Sequence, residues 1–202
     1  MRISKRPEER RQELVDAAQA LFSEQGVEAT SVGQIVRRVG VAQGLYYYYF
    51  RSKEEMVEAV ADRLIGRFEQ RLDRELAAAG QGFRRRLDAL LTGCFNAYGE
   101  LCGSRCWTDP TVRGSRIARR IGDRVKAAVS ERLLAVIRDG IARGETALPY
   151  PERTVRIVVS GVGDLLFAGD EDPAAVRAVM ERILGVPSSA DQAARQDEGE
   201  AR

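Results

Sequence analysis

The stretch ATSVGQIVRRVGVAQGLYYYYFRSK, residues 29–53, holds no aspartate or glutamate, although the 202-residue chain carries 30 of them against 32 lysines and arginines. Four cations lie within it: Arg37, Arg38, Arg51 and Lys53. A surface that approaches a phosphate backbone must be free of carboxylates, because closely spaced phosphates repel them and favour Lys and Arg. The same gap also fits an ordinary solvated face, and the order of residues inside it decides between the two. Ser31 followed by Gln34 is a capping box, and Val32, Ile35, Val36 and Val39 form the apolar stripe of a short helix that Gly40 ends. Ala42 to Phe50 has the length of a second short helix, although tyrosine prefers strands, so that assignment leans on its neighbours. Two short helices joined through a glycine fit the helix-turn-helix plan, in which the second helix enters the major groove.

Working outward, Leu14, Ala17, Ala18, Leu21 and Phe22 make one stripe of a preceding helix that Gly26 caps. Ser52 with Glu55 forms another capping box, opening a helix with inward positions Met56, Val57, Val60, Ala61, Leu64, Phe68 and Leu72. The run from Tyr46 to Phe50 cannot point into one core, since successive helical residues are about 100° apart. Tyr46, Tyr49 and Phe50 suit the core, whereas Tyr47 and Tyr48 suit an outward face, where a phenol packs on sugar or a thymine methyl and donates to phosphate.

The segment Gly40-Val41-Ala42-Gln43-Gly44-Leu45-Tyr46-Tyr47-Tyr48-Tyr49-Phe50-Arg51-Ser52-Lys53-Glu54-Glu55-Met56 resembles the signature of the tetracycline-repressor (TetR) family. Phe22, Gly26, Thr30, Ser31 and Ile35 sit at matching spacings, and the resemblance covers roughly residues 10–64. It implies that Gln43 and Gly44 open the recognition helix at base edges and that Tyr48 lies along the groove floor or the backbone. It further implies phosphate contacts at Tyr47 and Lys53, and at Thr30 and Ser31 where the second helix starts. Gln43 is suited to a bidentate pair with adenine. The chain departs from the family pattern at Leu45, where threonine is common and where an apolar contact to a thymine methyl replaces a hydroxyl, and at Tyr46, where an aliphatic residue is common.

Beyond the head the pattern stays helical. Phe83, Leu87, Leu90, Leu91, Cys94, Tyr98, Leu101 and Cys102 line one helix, followed by a loop over 103–114. A short helical piece over 116–121 is expected before a long helix that stops near Gly144. Two last helices carry Val155, Val158, Val159, Val162, Leu165 and Leu166, then Val176, Val179, Met180, Ile183 and Leu184 behind Asp172-Pro173. The expected fold is all-α with about nine helices: a three-helix helix-turn-helix head over 8–66, with the motif at about 31–50, on a larger ligand-binding and dimerisation body over 67–185. Residues 186–202 lose apolar periodicity and read as a disordered tail.

The resemblance implies a homodimer paired through helices at about 153–168 and 172–184, although those faces equally suit intramolecular core. A dimer would match a double-stranded, palindromic DNA operator. The candidate lining of a small-molecule effector site is Phe68, Leu87, Leu91, Cys94, Phe95, Tyr98, Cys102 and Trp107, each of which also suits plain core. Arginines 113, 116, 119, 120 and 124 could neutralise an anionic effector or simply form a solvated helix face.

Composition removes other classes. The absence of histidine takes away the commonest general base and zinc ligand, and three cysteines, Cys94, Cys102 and Cys106, fit a reducing compartment better than a disulfide framework. No metal and no cofactor is expected. The charged start lacks a secretory apolar run, and no apolar window spans a bilayer, so a cytoplasmic location is expected. The functional expectation is a repressor released from its operator by a small molecule. The alternatives are an activator or corepressor-dependent repressor, a helical dimerisation module without DNA, and an enzyme with Cys94 or Cys102 as nucleophile, for which no base partner is visible.

Overall fold

The computed structural model describes residues 6–102, 116–168 and 172–185, excluding the side chains of 98–102, 117 and 167–168. Eight helices form among the described residues: α1 Pro7–Gln25, α2 Val32–Val39, α3 Gln43–Tyr49, α4 Lys53–Ala78, α5 Phe83–Cys102, α6 Arg116–Ala142, α7 Pro151–Ala168 and α8 Pro173–Ile183. No strand occurs among them. The chain divides into two compact units, one holding residues up to Phe68 with Gly99–Ile121, the other Glu69–Tyr98 with residues from Gly122 on.

Local chemistry sets the boundaries in the first unit. Pro7 opens α1, where its missing N–H costs nothing, and the Arg6 amide donates to Glu9 Oε2 at 3.3 Å. Ser31 Oγ accepts from the Gln34 amide at 3.2 Å while the Ser31 amide donates to Gln34 Oε1 at 2.7 Å, the reciprocal box expected at α2. Gly40 then ends α2 at φ 75, a left-handed conformation that costs any residue with a Cβ. The box expected at α4 is altered: Ser52 Oγ accepts from the Glu55 amide at 3.2 Å, but the Glu55 carboxylate reaches the amide of Arg51 at 2.6 Å.

The core of this unit is Leu14, Ala18, Phe22, Ile35, Tyr46, Phe50 and Met56, all closed to solvent, with Ala118 of α6 packed against it. Asp16 of α1 pairs with Arg63 of α4, and Glu58 of α4 with Arg120 of α6 at 3.0 Å. On α4 the buried position is Ile65 rather than the expected Leu64, which is only partly covered.

In the second unit, Leu72, Leu87, Leu90, Leu91, Leu133, Ile137, Val155, Val158, Val176, Met180 and Leu184 are buried. Polar clamps fix its helices: Arg132 forks onto Asp73 at 2.7 and 2.9 Å, Lys126 reaches Asp164 at 2.6 Å, and Arg177 of α8 donates to Thr92 Oγ1 of α5 at 2.9 Å and pairs with Asp88. The short helical piece expected before the long helix is not separate. Residues 116–142 form one helix through Gly122, which is buried, so packing outweighs the roughly 1 kcal/mol a helical glycine costs.

The apolar faces of α7 and α8 serve two directions. Val155, Val158, Val159, Val176, Met180 and Leu184 are buried, whereas Ile157, Leu165, Val179 and Ile183 stay exposed. No described helix is long and apolar enough to cross a membrane. The tail over 186–202 and the loop over 103–114 lie outside the described residues.

Candidate nucleic-acid interface

Helix α3 divides its tyrosines as 100° per residue demands. Tyr46 and Phe50 point inward and are fully buried, and Tyr49 packs partly against the same core. Tyr47 is 52% and Tyr48 77% exposed, and both lie one turn from Gln43 and Gly44, themselves exposed at the start of α3. The structure therefore brings Gln43, Gly44, Tyr47 and Tyr48 onto one outward face, with Leu45 half-buried beside it. Edge-on ring contacts hold the phenols: Tyr46 to Tyr47 at 5.4 Å between centroids, and Tyr48 to Tyr49 at 4.9 Å.

Lys53 stands at the start of α4, half-buried, with Nζ donating to the Glu28 carbonyl at 3.3 Å. That bond joins it to the loop that delivers Ser31, which is exposed and keeps its hydroxyl proton for an outside acceptor. Thr30 departs from expectation. It is 1% exposed, its hydroxyl donates to the Gly26 carbonyl at 2.7 Å and accepts from Gln25 Nε2 at 3.1 Å, and its amide donates to the Val27 carbonyl at 3.2 Å. Every donor of Thr30 is thus spent inside the protein, and it shapes the approach to α2 rather than offering itself to a phosphate.

The cations of the carboxylate-free stretch are also unequal. Arg38 is gripped by both oxygens of Glu24 on α1, at 2.7 Å each, which holds the Glu24 carboxyl below the usual range and raises the guanidinium. Arg37 and Arg51 are exposed and their side chains have no partner among the described residues. Residues the sequence did not single out complete the site: Glu24, which neutralises Arg38, Gln25, which orients Thr30, and Arg11, whose guanidinium lies 4.9 Å from the Phe50 ring centroid. A separation of fourteen residues between Glu24 and Arg38 carries no periodic signal.

Among the expected effector-site residues, Leu87 and Leu91 are buried, while Cys94, Phe95 and Phe68 are partly covered. Phe68 belongs to the first unit and the four α5 residues to the second. Tyr98 and Cys102 lie on α5 with undescribed side chains; Trp107, Cys106 and Arg113 lie outside the described residues. Burial pushes the Cys94 thiol up to about 12, although the nearby Arg132 charge pulls it down. A thiol so held is a poor nucleophile near neutral pH, which removes Cys94 from the enzyme alternative. No group of three metal-ligating side chains occurs among the described residues.

A short helix with a bare, carboxylate-free outward face, braced by two others on an apolar core, defines a helix-turn-helix protein. Residues 14–60 match the family of bacterial regulatory proteins described as the tetR family. The match lies within this head and covers less than half of the chain. It is similar to the HTH-type transcriptional repressor KstR2 of Rhodococcus jostii, with 39% identity over 92 residues, 44% of this chain and 43% of the relative. It is also similar to the HTH-type transcriptional regulator HbdR of Aromatoleum sp., with 33% identity over 87 residues, 43% of this chain and 38% of the relative. The chain thus matches less than half the length of these curated relatives. Fold similarity extends further: a transcriptional regulator from Cytophaga hutchinsonii superposes with a TM-score of 0.69 at 20% identity, over 85% of this chain and 93% of that one. FadR from Bacillus subtilis, in complex with stearoyl-CoA, gives 0.62 at 21% identity, over 86% and 97%.

Proposed function

We propose that this protein is a homodimeric transcriptional repressor whose residues 8–66 bind a double-stranded, palindromic operator and whose residues 67–185 carry the dimer contact and a small-molecule effector site. The observation that carries the reading is the outward face of α3, where Gln43, Gly44, Tyr47 and Tyr48 stand free of carboxylates. On this reading Gln43 pairs with adenine, Leu45 and Tyr48 meet thymine methyls, and Tyr47, Ser31, Lys53 and the unpartnered Arg37 and Arg51 hold phosphates. Dimerisation is supported by Ile157, Leu165, Val179 and Ile183, apolar and exposed on the neighbouring helices α7 and α8. A second copy of the same surface buries them and supplies the second head for a two-fold operator. An effector among the apolar α5 residues Leu87, Leu91, Cys94 and Phe95 releases DNA by binding the non-operator conformation more tightly.

Fluorescence anisotropy with the DNA upstream of the protein's own gene, against an unrelated fragment at several salt concentrations, tests the reading. Tight, salt-dependent binding to the upstream fragment alone is expected. Lys53→Glu keeps its fold, because an acid suits a helix N-terminus, and loses operator affinity by on the order of tenfold or more. The absence of any binding by the wild type at low salt would sink the proposal.

A further inference from the structure

Tyr46 stands where the family resemblance leads to an aliphatic residue, and its side chain does more than fill that space. Its ring is fully buried, tilted against Phe50 at 5.6 Å and edge-on to Tyr47 at 5.4 Å with an interplanar angle of 83°. Its hydroxyl donates to the Ser52 carbonyl at 3.1 Å. Ser52 is the residue that caps α4: its Oγ accepts from Glu55, and its carbonyl also accepts from the Met56 amide at 3.4 Å. A buried phenol needs a hydrogen-bond partner, and this one has found the carbonyl at the root of the next helix.

We infer that Tyr46 is a positioning residue that fixes the distance between the two phosphate-facing side chains Tyr47 and Lys53, and so sets the register of the head on operator DNA. Its ring edge braces Tyr47, and its hydroxyl spans the Phe50–Arg51 turn to hold the residue next to Lys53. An aliphatic side chain would supply the packing without that bond. Phosphate contacts set where a protein sits on the duplex. Loosening the spacing therefore costs a complex that must satisfy both phosphates and base edges at once, and leaves sequence-independent binding, which tolerates slippage, unchanged. The inference rests on the DNA-binding reading of this site.

The test is Tyr46→Phe, which keeps the ring and removes only the hydroxyl, compared with the wild type as full-length protein. Operator affinity is expected to fall about fivefold, the loss of one net hydrogen bond, while binding to unrelated DNA at low salt stays within about twofold. In the free protein, amide exchange at Arg51, Glu55 and Met56 is expected to quicken by a similar factor, with the far-ultraviolet circular dichroism unchanged. A plain core-filling role predicts Phe indistinguishable from Tyr in both measurements, and that result overturns the inference. If the wild type itself fails to discriminate operator from unrelated DNA, the DNA-binding reading falls and takes this one with it. That failure is visible in the wild-type titration alone, so the two are told apart.

Discussion

Burial raises the Tyr46 phenol to about 12, with Tyr47, Glu54 and Glu55 adding to the shift, against about 10 in an unfolded chain. Between these values the unfolded chain gives up its proton while the folded protein keeps it, so the unfolded state binds fewer protons and stability falls as pH rises. The contribution is intact below about pH 10 and gone above about pH 12. Melting temperatures recorded across this window should drop for the wild type and drop less for Tyr46→Phe; equal slopes would mean that the phenol ionises as freely in the folded protein as in the unfolded chain. Thr30 shows the opposite fate for a hydroxyl at this surface. Its spacing suggests a DNA contact, but its hydroxyl donates to the Gly26 carbonyl and accepts from Gln25 Nε2, partners whose positions around a turn no local pattern reveals.

Among the helices, glycines of the same type have different consequences because their surroundings differ. In α6, a Cβ on Gly140 would lie 2.7, 2.9 and 3.0 Å from Cδ2, Cγ and Cβ of Phe83, so the whole root of that ring blocks it. Gly66 in α4 would meet nothing within 4 Å. Gly66→Ala should therefore stabilise by up to about 1 kcal/mol through helix propensity. Gly140→Ala should destabilise by about 1–3 kcal/mol as overpacking exceeds that gain. Urea unfolding of both variants checks the pair, and a stabilised Gly140→Ala would show that Phe83 moves freely. The same distinction limits what a sequence discloses. Helices α2 and α8 were legible because Ser31 with Gln34, and Asp172 with Pro173, state their starts in nearby residues, whereas α1 was read from its apolar stripe and Gly26 without the start that Pro7 gives it. The unbroken run of α6 through Gly122 was not, since burial of that glycine depends on residues distant in sequence.

For the whole molecule, the faces of α7 and α8 illustrate how one apolar segment holds two answers. Periodicity identified the buried set, Val155, Val158 and Val159, but assigned Leu165 to the same face and missed Ile157, which is 71% exposed. If that outer face joins two copies, Ile157→Asp should leave the protomer folded, since the side chain packs on little within it. It should yield monomers in sedimentation velocity and lower operator affinity at least about tenfold by removing the second head. A dimer of unchanged strength would exclude this face as the contact. The ion pair between Glu24 and Arg38 reaches further than the two helices it joins. Binding to DNA gains free energy by expelling small cations condensed on the duplex, roughly one for each protein charge that takes a phosphate. An arginine already neutralised by Glu24 expels none, so the steepness of affinity against salt should be lower by about one unit per head than the cations of residues 29–53 suggest. On the proposed DNA-binding reading, the protein would rely less on bulk electrostatic adhesion to any DNA, and more of its choice among sites would rest with the uncharged face of α3.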